Sequence, residues 1–285
     1  METPAHLVQV LRGEVERLTQ YLQTLPPAAW HQPSACNLWE VRDVVAHLTW
    51  VAQRFCGTVS RALHGDSAPP AGAPPVGTST RVERNAFVAR AAIALRERLE
   101  DQLLPTCRTQ VGQLIALLTP LHPSEWTQPA YSALRVVPLW HYPFLTLAEV
   151  ALHAWDIRSR LDPVARLSLE SVSALVQQLP PRLAWGGPSG AALGHGAVLS
   201  LPGRYRWEML QVVPRRYDIV GEDGAYRIAP ASEAVADVTF RCRAETFVLM
   251  LYGRLTLEAA MATGHLRTEG EPGLVAAFAR WLTGV

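Results

Sequence analysis

Three side chains carry chemistry at a telling spacing: His47, Glu149 and His153. Glu149 and His153 are four residues apart, so on a helix they share a face, one turn above the other. His47 falls with Val44, Leu48 and Val51 in the i, i+3, i+4, i+7 pattern of a buried stripe. Two imidazoles and a carboxylate converging inside a helical bundle would bind a divalent metal and leave positions open for chemistry. Such a metal is a Lewis acid and lowers the pKa of the water or thiol it binds. A thiol would become a thiolate, the nucleophilic form. Addition to an activated alkene, rotation and expulsion would give cis–trans isomerisation. Displacement of a leaving group or opening of an epoxide would give a stable conjugate.

Each residue has a plainer alternative. Thr146 and Glu149 form T-x-x-E, a capping box for a helix start. A histidine on an apolar stripe is commonly a hydrogen-bonded core residue. Asp156, one turn past His153, is suited to orienting a ligand or to accepting from a partner such as Arg158. Cys36 precedes a helix start, where a thiolate is stabilised, but a small buried thiol fits the position as well. Trp39 and Trp155 read as packing residues. His141, between Trp140 and Tyr142, reads as a pocket wall or a solvated loop residue.

These residues need helices to position them. Leu7, Leu11, Val15, Leu18, Leu22 and Leu25 predict a first helix over 5–25, stopped by Pro26-Pro27. Asn37 as N-cap and Glu40 at N3 predict a second over 38–63. Residues 65–80, rich in Pro, Gly, Ala and Ser, predict a surface loop. A third helical stretch covers 81–118, kinked or split at Pro105. Residues 119–143 hold five prolines and predict an extended crossover before a fourth helix over 145–161. The expected architecture is a four-helix bundle over residues 1–163 and an α+β domain over 164–285. In the second half we expect a helix over 169–179, a Gly-rich loop over 185–196, and paired strands 205–213 and 217–220. A half-buried strand follows at Val238, Phe240 and Cys242, then helices over 245–252, 257–263 and 273–282, and a strand over 265–269.

Composition excludes several classes. The 285 residues carry a net charge of +1 and no long basic run, which gives no footprint for nucleic acid. All 26 basic residues are arginine, so Schiff-base chemistry on the protein and a Walker-type phosphate loop are excluded. The four cysteines lack C-x-x-C spacing, against a zinc knuckle or a disulfide scaffold. Neither a G-x-S-x-G elbow nor a G-x-G-x-x-G after a strand occurs. No signal peptide and no membrane span are expected, and a reducing cytoplasm is the expected location.

The first half resembles the DinB-like bundle, and more narrowly the mycothiol-dependent maleylpyruvate isomerase N-terminal family. The resemblance rests on Cys36 to Leu48, matching C-x-x-W-x-V-x-D-x-x-x-H-L, and on Glu149 to Asp156, matching E-x-x-x-H-x-W-D. The second half resembles a sterol-carrier-like domain through Tyr252 to Thr256 and Ala260 to Gly270. The resemblance implies His47, Glu149 and His153 as metal ligands, with zinc foremost and nickel, iron or manganese also accommodated. It implies a low-molecular-weight thiol, mycothiol or an analogue such as ergothioneine or bacillithiol. The expected function is a metal-dependent thiol S-transferase or isomerase, maleylpyruvate isomerase-like, acting on a small electrophile as monomer or homodimer. A non-catalytic protein binding a hydrophobic ligand and a metal-dependent hydrolase without thiol are the alternatives. Arg204, Arg206, Arg215 and Arg216 are the arginines considered for a substrate carboxylate, against simple surface solvation.

Overall fold

The computed structural model describes residues 3–36, 38–177, 203–210, 215–222 and 225–283. The chain divides into two compact units, residues 2–171 and 172–285; the break expected at Pro163 lies eight residues earlier.

The first unit is a helical bundle. Helix α1 (Pro4–Thr24) starts with the Thr3 hydroxyl accepting from His6 N and with Pro4 in its first turn. Leu7, Leu11, Leu18 and Leu22 form its buried stripe. Helix α2 (Val41–Leu63) begins three residues later than expected, capped by Glu40 with Asp43 in a reciprocal box. The expected cap, Asn37, lies outside the described residues. Helix α3 (Arg81–Leu99) carries a second box, Thr80 with Glu83. The break before α4 (Leu103–Leu118) comes at Glu100, which takes a left-handed φ of 46°, so Pro105 sits harmlessly in the first turn of α4.

The crossover holds a minimal antiparallel pair, β1 (Pro129–Ala130) and β2 (Val137–Pro138). Helix α5 (His141–Leu161) starts four residues earlier than expected, because Pro143 fits a first turn. Helix α1 packs on α4 and α5, α2 packs on the same two, and α3 lies against α2. Asp43 fastens α3 there: one carboxylate oxygen caps α2, and the other accepts from Arg96 at 2.6 Å. Helix α6 (Leu169–Gln177) follows, with Ser168 and Ser171 donating to the buried Glu14 carboxylate at 2.6 and 2.7 Å.

The second unit is α+β. Its sheet holds β3 (Gly203–Leu210), β4 (Arg215–Glu222), β5 (Ala225–Pro230), β6 (Val238–Arg243) and β7 (Leu266–Gly270), in the order β5-β4-β3-β6-β7. Only the β3–β6 neighbours run parallel. Helices α7 (Ala244–Leu251), α8 (Leu257–Ala262) and α9 (Pro272–Thr283) complete it. Strand β5 was not foreseen; it is an edge strand ending at Pro230, where a missing N–H is tolerated. The loop expected over 185–196 lies outside the described residues. Tyr205, Trp207 and Met209 alternate onto the core face of β3, where Trp207 meets the rings of Phe240 and Phe247 at 4.4 and 4.5 Å. At Gly270 a Cβ would come within 2.1 Å of the Asp237 carbonyl, so only glycine fits. No described helix is long and apolar enough to cross a membrane.

Across the β3–β4 pair, Arg206 stands directly opposite Asp218, and its Nε and Nη2 donate to the two carboxylate oxygens at 2.8 and 3.0 Å. Burial alone would raise the Asp218 pKa, but hydrogen bonds from Arg206 and Arg204 outweigh it and pull it down to about 2. The pairing therefore stabilises fully above the unfolded carboxyl value of about 3.9, and that stability is lost as pH falls toward the folded value. Asp218→Ala strands a buried guanidinium and is expected to cost about 3–5 kcal/mol near neutral pH. Urea denaturation across acid and neutral pH checks this, the difference from wild type shrinking below about pH 4.

Candidate metal centre

Helices α2 and α5 bring the three sequence-predicted residues together. His47, buried on α2, places Nε2 3.0 Å from Glu149 Oε2. His153, one turn along α5, places Nε2 3.3 Å from the same oxygen. The two imidazoles meet edge to face at 4.7 Å between ring centres. The ligand-capable atoms of all three lie within 4.8 Å of one another. Two nitrogens and one carboxylate oxygen at this spacing suit a first-row divalent metal. The Glu149 side chain keeps about 35% of its surface exposed, so the cluster has an open side.

The capping alternative for Glu149 fails on the geometry. Thr146 lies inside α5, and its hydroxyl donates to the Tyr142 carbonyl at 2.8 Å. Glu149 is therefore committed to the histidines rather than to a helix start.

Asp156 takes the orienting role. Fully buried, it accepts from His153 Nδ1 at 2.8 Å, which fixes the proton on that nitrogen and turns Nε2 toward Glu149. It also accepts from Cys36 Sγ at 2.9 Å, and Sγ lies 3.3 Å from His153 Nδ1. Cys36, His153 and Asp156 form a second metal-capable trio, but it uses the enclosed nitrogen of His153 and a carboxylate with no exposure. The open side belongs to the first trio. Sequence spacing offers Arg158 as a partner for Asp156 but gives no sign of the thiol, because residues 36 and 156 meet only through the fold.

The segment carrying Cys36 is pinned in place. Ala35 N donates to the Asp156 carbonyl at 2.8 Å, and both Ser34 N and Oγ reach the Trp39 carbonyl at 2.8 Å. The turn passes through Leu38 in the left-handed region, φ 65°, with the side chain in solvent. Trp39 leans on His47 at 5.2 Å between ring centres.

Burial opposes ionisation of both Glu149 and His153. Hydrogen bonds from His153 and His47 nevertheless hold the Glu149 carboxyl well below the usual carboxylate range. Those with Asp156, Cys36 and Glu149 hold His153 well above the usual imidazole value. The cluster is thus built to hold a carboxylate against imidazoles.

Other candidates fall elsewhere. His141 lies in the first turn of α5, with its ring near those of Trp140 and Phe144. Trp155 is half-buried. Arg204 and Arg206 are both committed to Asp218, and Arg216 to Glu208 at 3.1 Å, so these three serve the second unit's own structure. A feature the sequence reading missed lies in the bundle, a cavity of about 760 Å³ with Trp50 and Arg54 in its wall. The signal was present, since Trp50 and Arg54 follow His47 at i+3 and i+7.

Residues 11–158 match the family model described as the mycothiol maleylpyruvate isomerase N-terminal domain. The chain belongs to this family. Residues 195–283 match the SCP-2 sterol transfer family. The fold agrees with the solved structure titled mycothiol-dependent maleylpyruvate isomerase, at 16% identity and a TM-score of 0.59, covering 95% of this chain and 97% of that one. A mutant of that isomerase matches at 15% identity and a TM-score of 0.60 over the same shares. No curated protein matches the chain. The family membership and the shared architecture bear out the expected helical bundle followed by a sterol-carrier-like α+β region.

Asp156→Asn keeps the shape but removes the charge that His153 Nδ1–H and the Cys36 thiol donate to. It is expected to destabilise the bundle by about 2 kcal/mol, read by urea denaturation.

Proposed function

We propose that this protein is a metal-dependent enzyme that uses a low-molecular-weight thiol to attack a small electrophile, with His47, Glu149 and His153 as the metal ligands. The observation that carries the reading is the convergence of two Nε2 atoms and one carboxylate oxygen within 4.8 Å, on facing sides of α2 and α5. A divalent metal there would supply Lewis acidity and make a bound thiol acidic enough to act as a thiolate. Zinc suits the donor set first; nickel, iron and manganese also suit it.

The chain's own residues prepare that site. Asp156 holds the proton on His153 Nδ1 and so aims the other nitrogen. Trp39 covers one flank of His47. The exposed part of Glu149 leaves a side for small molecules to approach. Membership of a family named for a mycothiol-dependent isomerase supports a thiol as co-substrate, with mycothiol, ergothioneine and bacillithiol as the forms to try. S-transfer and cis–trans isomerisation, as of maleylpyruvate, are the two outcomes such a nucleophile supports.

Elemental analysis of protein purified without chelator or histidine tag is the decisive measurement. About one metal per chain is expected, lost in His153→Ala, with affinity reduced some 10–100-fold in Asp156→Asn. Failure of the wild type to hold or take up zinc, nickel or iron overturns the reading. With metal established, a screen of thiols against electrophiles is expected to give turnover only when thiol is present. Turnover without thiol would instead make the protein a metal-dependent hydrolase.

A further inference from the structure

The cavity in the bundle is lined in part by the same two helices that carry the histidine cluster. On α2, Trp50 and Arg54 follow His47 at i+3 and i+7, and both line the cavity. On α5, Leu145 and Tyr142 precede Glu149 by four and seven residues, and both line it as well. Each helix thus carries one continuous face from the cluster into the cavity. Seven residues of helix rise about 10 Å, so Arg54 stands two turns from His47, the length of a small organic molecule.

The walls are flat and apolar, but the charge is positive. Phe55 and Tyr142 meet edge to face at 5.0 Å and close the α2–α5 side. The Arg54 guanidinium lies 4.9 Å from the centre of the Trp50 ring and 5.9 Å from that of Phe87 on α3. Those rings fix the position of the cation without neutralising it. Among the described residues Arg54 has no carboxylate partner, and Arg84 donates only to the Ser79 carbonyl. The lining carboxylate, Glu83, is engaged by the Thr80 amide and hydroxyl at 2.8 and 2.9 Å. The outer wall is a segment of the 65–80 loop, held by the Tyr131 hydroxyl donating to the Pro74 carbonyl at 2.7 Å. An arginine placed over rings, with its fork unused, is equipped to take a carboxylate.

We infer that this cavity binds a small carboxylate with a flat apolar body, and that Arg54, assisted by Arg84, sets the preference for the anion. The inference rests on the thiol reading for what then happens to the ligand, but its binding test does not. The anion is borne either by the electrophile or by the thiol, and two probe pairs tell these apart.

The experiment is calorimetric titration of the full chain, as purified, with cinnamate against cinnamamide and with N-acetylcysteine against its amide. Metal content is measured beside each titration. In at least one pair the carboxylate is expected to bind about ten-fold tighter than its neutral amide. Arg54→Gln is expected to erase that ratio while keeping its metal, and Arg54→Lys to keep part of it. A ratio in the cinnamate pair alone assigns the anion to the electrophile; a ratio in the acetylcysteine pair alone assigns it to the thiol. Equal affinities within both pairs overturn the inference on the wild type, whatever the variants do. An undiminished ratio in a folded Arg54→Gln protein overturns the role of Arg54. His153→Ala that loses metal but keeps the ratio separates this site from the metal reading.

Discussion

A carboxylate set between two helices with only one open side is stabilised by the positive or proton-donating groups around it. Glu149 has such groups in His47 on the facing helix and His153 on its own. The dependence propagates outward. His153 stays protonated on Nδ1 because Asp156 is there to accept, and Asp156 is buried without exposure because Cys36 also donates to it. The backbone of Asp156 in turn anchors the segment that delivers Cys36 and Trp39. None of this holds unless α2 and α5 are neighbours. Apolar residues buried on the two helices, among them Val44, Val45 and Leu48 on one and Leu147, Val150 and Ala151 on the other, sit next to the ionisable ones in sequence.

Much of the first unit was legible because its signals are local. Helix periodicity, prolines and capping pairs placed the helices within a few residues, and the i, i+4 spacing of Glu149 and His153 put them on one face. The errors have physical causes. Proline in a first turn is harmless, so Pro143 marked no boundary, and the split expected at Pro105 falls a few residues earlier, at Glu100, with Pro105 in the first turn of α4. T-x-x-E at Thr146 imitates a helix start because the pattern carries no record of the turn that precedes it. The meeting of Cys36 with Asp156 has a separation of 120 residues and no sequence signature at all.

The second unit shows the same limit from the other side. Alternation marked β6 and a β-like run marked β3, but charge could not say which arginine has a partner. Arg206 lies on the face of β3 opposite Tyr205 and Trp207, directly across from Asp218, and only strand register reveals that it is used internally. The core face is filled by rings, with Phe278 meeting Tyr205, Phe240 and Trp281 each at 5.0 Å. Rings packed at such distances define one arrangement of sheet and helices, since a one-residue shift of register would turn the strand rings Tyr205, Trp207 and Phe240 away from Phe278.

Asp43 joins the start of α2 to α3 with the two oxygens of one carboxylate. The cluster is carried by α2 and α5, whereas much of the far wall of the cavity is carried by α3 and the 65–80 loop. The cluster and the far wall of the cavity are thus carried by different pieces of chain, while Arg54 and Trp50 stay on α2 with His47. Insertions or replacements in α3 and its loop can reshape what is recognised while leaving the histidines where they are. Descendants of one ancestor could in this way keep a chemistry and exchange its substrates.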